Sequence, residues 1–147
     1  MSPLSDPDRI VGVDVGTQRV GVAKSDPLRL FAQAEGTYPP DEALSVLQAM
    51  AEEEGIARIV VGWPLTEAGE EGEATEMVAA YEERLREALG AAVPLERRDE
   101  RFTSELAKDL LRRAGVSQPG RYDRGRVDAA AAAVILQDYL DAESAGL

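Results

Sequence analysis

Three acidic side chains in this sequence stand at positions where a metal-dependent reaction could use them. Asp14 interrupts the apolar run Ile10 to Val15, which is typical of a buried central strand. An isolated carboxylate there is costly unless it is paired, hydrogen-bonded or metal-bound. Glu100 follows a predicted strand, and Asp128 shares the apolar face of a predicted helix. Each of the three acids therefore needs a partner or a function.

The residue types that are missing restrict the chemistry further. The 147 residues include no cysteine and no histidine, which excludes Ser-His-Asp and Cys-His nucleophiles, disulfides and Cys/His zinc sites. Any metal must be held by oxygen, which suits Mg²⁺, Mn²⁺ or Ca²⁺. If the three acids converge, two such cations about 3.5–4 Å apart could activate water for in-line attack on a phosphodiester.

Each acid also has a structural explanation that the sequence leaves open. Asp14 could be a turn carboxylate that accepts hydrogen bonds from the amides of Gly16 and Thr17. Asp128 could simply stabilise the N-terminus of its helix, where acidic side chains are favoured. Glu100 could belong to a surface ion-pair cluster.

Charge is distributed unevenly along the chain. The net charge is −12, yet the segment from Arg97 to Arg126 contains nine basic and five acidic residues, which leaves −16 on the remainder. Phosphate binding depends on Lys and Arg, so this basic segment is a candidate phosphate-binding surface, although solvated helix faces would look the same. Glu67 to Glu76 holds five glutamates and no base, and we expect it at the edge of a cleft or at a protein contact.

The hydrophobic pattern predicts a single α/β domain over residues 1–147 with a mixed sheet: three strands with an antiparallel start, then the order αβαβαα. The core is expected at about residues 9–141. Pro94 marks the fifth strand as an edge strand or as a strand start. The predicted strands are Ile10–Val15, Val20–Ala23, about Arg29–Thr37, Ile56–Val61 and Ala92–Glu96, and the predicted helices are Ala43–Ala51, Met77–Leu89, Thr103–Arg113 and Val127–Asp141.

Nothing in the sequence indicates a membrane. The longest apolar run, Ala129 to Leu136, has eight residues, far fewer than the roughly 18 of a membrane span. Residues 1–8 lack the basic and apolar regions of a signal peptide. We therefore expect a soluble, cytoplasmic protein. Monomer and homodimer both remain open.

Four blocks of the sequence carry a family pattern when they are taken together: Val11–Asp26, Val60–Thr66, Asp99–Ser104 and Asp128–Leu140. In this combination they resemble the YqgF-type family of Holliday junction resolvases. The resemblance extends from about Arg9 to Asp141 and keeps the order of the family's motifs. One departure is the segment Gly120 to Arg126, which carries arginines where the family commonly has lysine.

The resemblance implies a ribonuclease H-like fold in which Asp14, Glu100 and Asp128 form the catalytic, metal-binding triad, with Mg²⁺ or Mn²⁺ in a two-metal site. It also implies a metal-dependent nuclease for structured nucleic acid. Family members are described as junction resolvases or as nucleases that mature the 5′ end of the small-subunit rRNA precursor. The expected partners are therefore rRNA precursor or branched DNA, and association with the ribosome is expected as well. The candidate nucleic-acid contacts are Thr17, Arg19, Arg101, Arg121, Arg124 and Arg126.

Two other functions are compatible with the same residues. The segment Asp14 to Thr17 also resembles the phosphate hairpin of actin-like ATPases and sugar kinases, which close a cleft between two such domains. A non-catalytic RNA-binding or ribosome-associated factor could keep the fold without turnover. Trp63 also has two interpretations, because its side chain could stack on an unpaired base or pack as the anchor of a loop.

Overall fold

A computed structural model describes residues 8–100, 124–144 and 146. It describes the side chains of residues 8–100, 129–144 and 146. The predicted helix Thr103–Arg113 and most of the basic segment lie outside these residues. The strands are β1 (Arg9–Val15), β2 (Val20–Ser25), β3 (Ala32–Tyr38), β4 (Ile56–Trp63) and β5 (Leu95–Asp99), and the helices are α1 (Pro40–Glu53), α2 (Glu73–Leu89) and α3 (Arg124–Ser144).

The five described strands form one sheet in the order β3-β2-β1-β4-β5. Strand β1 pairs antiparallel with β2, and β2 pairs antiparallel with β3. On its other side β1 pairs parallel with β4, which pairs parallel with β5. The predicted mixed sheet with an antiparallel start is therefore confirmed, and the carboxyl ends of β1, β4 and β5 lie at one edge.

Alternation of side chains along the central strands separates two apolar layers. Val11 and Val13 of β1 belong to the layer that packs against α1 and α2, together with Val61 of β4. Ile10 and Val60 belong to the opposite layer, which packs against α3. Both faces of β1 are covered, so its near-continuous apolar sequence is that of a buried strand.

The fifth strand is the clearest error of the sequence prediction, because it runs from Leu95 to Asp99 instead of Ala92 to Glu96. Residues 91–93 form a turn in which the Val93 N–H reaches the Gly90 carbonyl at 3.5 Å. The Pro94 carbonyl accepts the Ile59 N–H at 2.9 Å, so Pro94 immediately precedes the paired segment. Among the described strands β5 lies at a sheet edge, as its proline predicts.

The third strand begins at Ala32, about three residues later than the sequence pattern predicts. The residues before it form a turn in which the Asp26 carboxylate accepts the N–H groups of Leu30 and Phe31, both at 2.7 Å. Arg29 takes a φ of 58° within this turn. These local hydrogen bonds compete with strand pairing, which explains why the segment is not extended.

Two glycines let α3 approach the sheet closely. A Cβ at Gly12 of β1 would lie 2.8 Å from the Ala132 carbonyl oxygen and 2.8 Å from the Leu136 Cβ. A Cβ at Gly62 of β4 would lie 2.7 Å from Cδ1 of Ile135. Helix α3 therefore packs directly on the backbone of β1, and its Ile135 side chain packs on the backbone of β4. None of the described helices combines the length and apolar character needed to cross a membrane.

Candidate active site

Asp14 lies near the carboxyl end of β1 on the face that packs against α3. It shares this face with Ile10 and Gly12, because side chains alternate along the strand. Its cross-strand neighbour in β2 is Gly21. The Gly16 N–H donates to the Arg19 carbonyl oxygen at 2.8 Å, so this amide does not cap the Asp14 carboxylate and the turn explanation is wrong in that respect.

Glu100 directly follows β5, and two features of β4 hold it. Its N–H donates to the Trp63 carbonyl oxygen at 3.1 Å, which continues the pairing of the two strands by one residue. Its carboxyl group lies over Gly62, where a Cβ would come within 2.5 Å of Glu100 Oε1. Glycine at position 62 therefore provides the space that the Glu100 side chain occupies.

The structure brings the carboxyl groups of Asp14 and Glu100 into contact. The pKa of Glu100 is raised to about 9, mainly by burial and in addition by the hydrogen bond to Asp14 and the charges of Asp14 and Asp99. Two carboxyl groups this close cannot both be ionised at neutral pH without compensation. The pair must hold either a proton or a cation.

Asp128 lies in the first turns of α3. The direction of this helix shows at which edge of the sheet its N-terminal end lies. The Arg58 guanidinium near the start of β4 contacts Tyr139, whereas Gly62 near the end of β4 meets Ile135. The helix thus runs antiparallel to β4, and its N-terminal end lies at the edge where Asp14 and Glu100 meet. The Asp128 side chain lies outside the described part, and its role as a third ligand stays a prediction.

Among the described side chains, no group of three acids comes close enough to hold a metal ion. The donor set that is present nevertheless fits a hard cation, because two carboxyl groups in contact, one of them with its pKa raised, offer oxygen ligands whose charge a divalent ion would neutralise. The residues described are therefore compatible with Mg²⁺ or Mn²⁺.

The predicted nucleic-acid contacts fall into two groups. Thr17 and Arg19 are exposed in the β1–β2 turn, at the same sheet edge as Asp14. The remaining four are not described at the side-chain level: Arg101 and Arg121 lie outside the described residues, and Arg124 and Arg126 are described only as backbone of the first turn of α3.

Two arginines at the start of the basic segment are part of the fold. Arg97 Nη2 lies 2.7 Å from Oε1 of Glu82, a buried residue of α2. Arg98 Nε lies 2.7 Å from Oδ2 of Asp138 in α3. These two guanidinium groups connect β5 to a helix on each face of the sheet, a function that their charge alone did not reveal.

Trp63 ends β4 on the face opposite to Asp14, where it packs at the border of the α1/α2 layer. The Arg97 guanidinium lies 3.7 Å from the centroid of its ring. The packed-anchor interpretation of Trp63 is therefore confirmed. The positioning roles of Gly12, Gly62 and Asp138 were missed, although a glycine inside an apolar strand is the usual mark of close backbone approach.

Solved structures with the same architecture define the class of fold. The chain matches Thermus thermophilus RuvC in complex with a Holliday junction substrate with a TM-score of 0.53 and 17% identity, covering 94% of this chain and 96% of RuvC. It matches the yeast mitochondrial Holliday junction resolvase with a TM-score of 0.54 and 11% identity, covering 97% and 82%. The fold is thus that of the ribonuclease H-like resolvases.

Sequence comparison then identifies the family. The profile of RuvX, described as Holliday junction resolvase, matches residues 8–142. A Salinibacter ruber protein is 73% identical over 141 residues, covering 96% of this chain and 98% of the relative, and a Chlorobaculum tepidum protein is 43% identical over 136 residues, covering 92% and 95%. Both relatives carry the provisional name pre-16S rRNA nuclease. The chain belongs to the RuvX family, and its enzyme class is that of nucleases acting on phosphodiester bonds.

Proposed function

We propose that this protein hydrolyses phosphodiester bonds of structured nucleic acid with the help of divalent metal ions bound at the Asp14–Glu100 edge of the sheet. The observation that carries the proposal is the contact between these two carboxyl groups, with the pKa of Glu100 raised to about 9 by burial and by Asp14. Two carboxyl groups this close would both be ionised at neutral pH only beside a compensating cation. Metal-ion catalysis is thereby supported at this position.

The residues that would hold the metal are Asp14 and Glu100, joined by Asp128 if its side chain follows the family resemblance. When bound, Mg²⁺ or Mn²⁺ supplies a water of lowered pKa and charge stabilisation for the leaving oxygen. Asp14 and Glu100 would hold the ion from two strand ends, and the Glu100 carboxyl, whose pKa is raised, would bind it in its ionised form. The chain contains no histidine, so no imidazole takes part in the proton transfers.

For the natural substrate we propose the precursor of small-subunit ribosomal RNA. Support comes from the provisional name of the relatives at 73% and 43% identity, which cover nearly the whole chain. Such a substrate places the activity in the cytoplasm, next to maturing ribosomal particles. Four-way junction DNA is the second substrate to test, because the family description names it.

The decisive experiment compares the parent with Asp14→Asn on labelled rRNA precursor and on four-way junction DNA, in Mg²⁺, in Mn²⁺ and in EDTA. We expect metal-dependent cleavage by the parent and a loss of at least about 100-fold in the variant, which equals roughly 2.7 kcal/mol of transition-state stabilisation. The matched control is Asp41→Asn, which removes an exposed carboxylate of α1. Circular dichroism establishes that both variants are folded.

Three results would contradict the proposal. Cleavage by Asp14→Asn at the parent's rate would remove Asp14 from the site. RNA binding that survives in Asp14→Asn, with no cleavage by the parent in any metal, would instead indicate a non-catalytic RNA-binding factor. Saturable ATP binding in calorimetry without nuclease activity would favour the nucleotide-binding alternative.

A further inference from the structure

A cavity lies at the same sheet edge as Asp14 and Glu100 but on the opposite face. Its volume is about 300 Å³, and it lies between the N-terminal end of α2 and the strands β4 and β5. Trp63, Glu71, Thr75, Glu76, Ala79 and Arg97 line it. The site described above uses none of these side chains.

The strand ends connect this cavity to the carboxylate pair. Trp63 lines the cavity with its side chain, and its carbonyl oxygen accepts the backbone N–H of Glu100 at 3.1 Å. Arg97 and Glu100 belong to the same short segment and face opposite sides of the sheet. A nucleic-acid strand bound at the carboxylates therefore passes within reach of the cavity if it continues around the edge.

The guanidinium of Arg97 is held as a flat platform inside this cavity. One face of the guanidinium lies on the Trp63 ring, with its Cζ atom 3.7 Å from the ring centroid. Its Nε and Nη2 atoms donate to the buried carboxylate of Glu82 at 2.7 to 3.2 Å. The Arg97 side chain is nevertheless 46% exposed. Unpaired bases stack on arginine planes as well as on aromatic rings, and a platform fixed in advance loses little entropy when it binds.

The polarity of the lining selects the ligand. Glu71 and Glu76 are exposed acidic side chains that repel phosphate, whereas they can accept hydrogen bonds from an exocyclic amino group. The volume lies at the lower end of the range for small-molecule sites, which suits one base and excludes a duplex. Amino-bearing bases are therefore favoured over uracil.

We propose that the Trp63–Arg97 cavity binds one unpaired, amino-bearing base of the nucleic acid whose backbone is cleaved at Asp14 and Glu100. The inference rests on the proposed nuclease function for its biological meaning. Binding of the base can be measured without cleavage, so the two proposals can fail separately.

Trp63 is the only tryptophan of the chain, and its fluorescence reports on the cavity directly. RNA pentamers of cytosine, of uracil and of abasic ribose phosphate are titrated in EDTA, together with cytidine alone. We expect saturable quenching by the cytosine pentamer, with uracil at least about five-fold weaker, because uracil lacks the amino group that Glu71 and Glu76 accept from. Five-fold corresponds to about 1 kcal/mol, the typical net value of one hydrogen bond. The abasic pentamer should bind more weakly still, whereas free cytidine, which carries the base without a phosphate, should also quench saturably.

Variants in α2 test the position of the base. Ala79→Leu places a larger side chain in the cavity and should weaken binding of the cytosine pentamer at least about five-fold. Ala80→Leu, at an exposed position of the same helix, is the matched control and should bind like the parent. Asp14→Asn should also keep the quenching, because Asp14 lies on the other face of the sheet.

Several outcomes would overturn the proposal: no quenching, equal quenching by the abasic pentamer, equal affinity for cytosine and uracil, or unchanged binding in Ala79→Leu. Asp14-dependent cleavage without quenching removes the base site and leaves the nuclease function standing. Quenching without cleavage by the parent supports the base site and contradicts the nuclease function.

Discussion

At the scale of single residues, the candidate site combines two acidic side chains in contact with a glycine that leaves space for one of them. Asp14 and Glu100 are brought together although their charges oppose this, and Gly62 provides the space in which Glu100 lies. Arrangements that cost stability are common at functional sites, because the strained groups are the ones that a ligand or a metal relieves. The cost should be measurable as a lower free energy of unfolding.

The carboxyl pair predicts a pH-dependent stability. The pKa of Glu100 is about 9 in the folded protein against 4.5 in its ordinary state, so between these values the folded form holds a proton that unfolding releases. Raising the pH through this window therefore destabilises the parent. In EDTA, Glu100→Gln should be more stable than the parent at pH 8 by more than about 1.4 kcal/mol, the value of one pKa unit, and the gain should shrink towards pH 5.

Urea unfolding at the two pH values measures this effect. Glu53→Gln, at an exposed position at the end of α1, serves as the control and should not change the pH dependence. A stability gain of Glu100→Gln that is the same at pH 5 and pH 8 would show that the Glu100 carboxyl does not hold the proton. Cleavage should be lost in Glu100→Gln at both values.

Gly62 allows a steric test of the same site. In Gly62→Ala the new methyl group would lie 2.5 Å from Glu100 Oε1 and 2.7 Å from Ile135 Cδ1, so both of these side chains must shift. We expect a destabilisation of about 1–3 kcal/mol and a loss of cleavage beyond what this destabilisation explains. Gly72→Ser, where a Cβ meets nothing within 4 Å, should leave the unfolding free energy nearly unchanged. Parent-like cleavage by Gly62→Ala would separate Glu100 from the reaction.

At the scale of elements, the short strand β5 must carry Glu100 although it has β4 as its one strand neighbour in the described sheet. Side chains compensate for the missing neighbour, since Arg97 binds Glu82 of α2 and Arg98 binds Asp138 of α3. Hydrophobic periodicity identified β5 only approximately, because a turn and a proline precede it and its own sequence is mostly charged. The ion pairs depend on packing that periodicity does not contain.

Asp138→Asn tests whether this anchoring matters for the reaction. Both partners are partly exposed, so we expect a stability change of no more than about 1 kcal/mol. Cleavage should fall several-fold and require more Mg²⁺ for half-saturation, because Glu100 loses its fixed position. Asp138→Glu should restore part of the activity. Asp41→Asn, which breaks the surface pair with Arg84, is the matched control, and equal kinetic effects of the two variants would argue against a positioning role.

At the scale of the whole molecule, the sequence predicted the layers better than the site. Apolar runs such as Ile10 to Val15 determine which strands are buried, so the mixed sheet followed from periodicity. The meeting of Asp14 and Glu100 could not be derived in this way, because it depends on β4 lying between β1 and β5. Only the family resemblance connected the two residues. The position of the Asp128 side chain, and with it the complete triad, stays a prediction.

A metal site at the sheet edge should couple ion binding to the stability of the entire domain. Mg²⁺ that binds only the folded form stabilises it by about 2.7 kcal/mol at a concentration 100 times its dissociation constant. We expect a rise of the thermal midpoint in the parent and none in Asp14→Asn. Because the chain carries a net charge of −12, NaCl at equal ionic strength is the control for screening. Equal shifts in both proteins would indicate screening alone.

The close packing of α3 on Gly12 and Gly62 has a consequence for the order of folding. One face of β1 and β4 near the start of the chain is completed only by a helix that ends at Ser144. Such long-range contacts form late, since they require closure of a long loop. On a translating ribosome, Asp14 would therefore be synthesised early but stand in an uncovered site until α3 docks. Nuclease activity should then be withheld from the growing chain and appear together with completion of the fold.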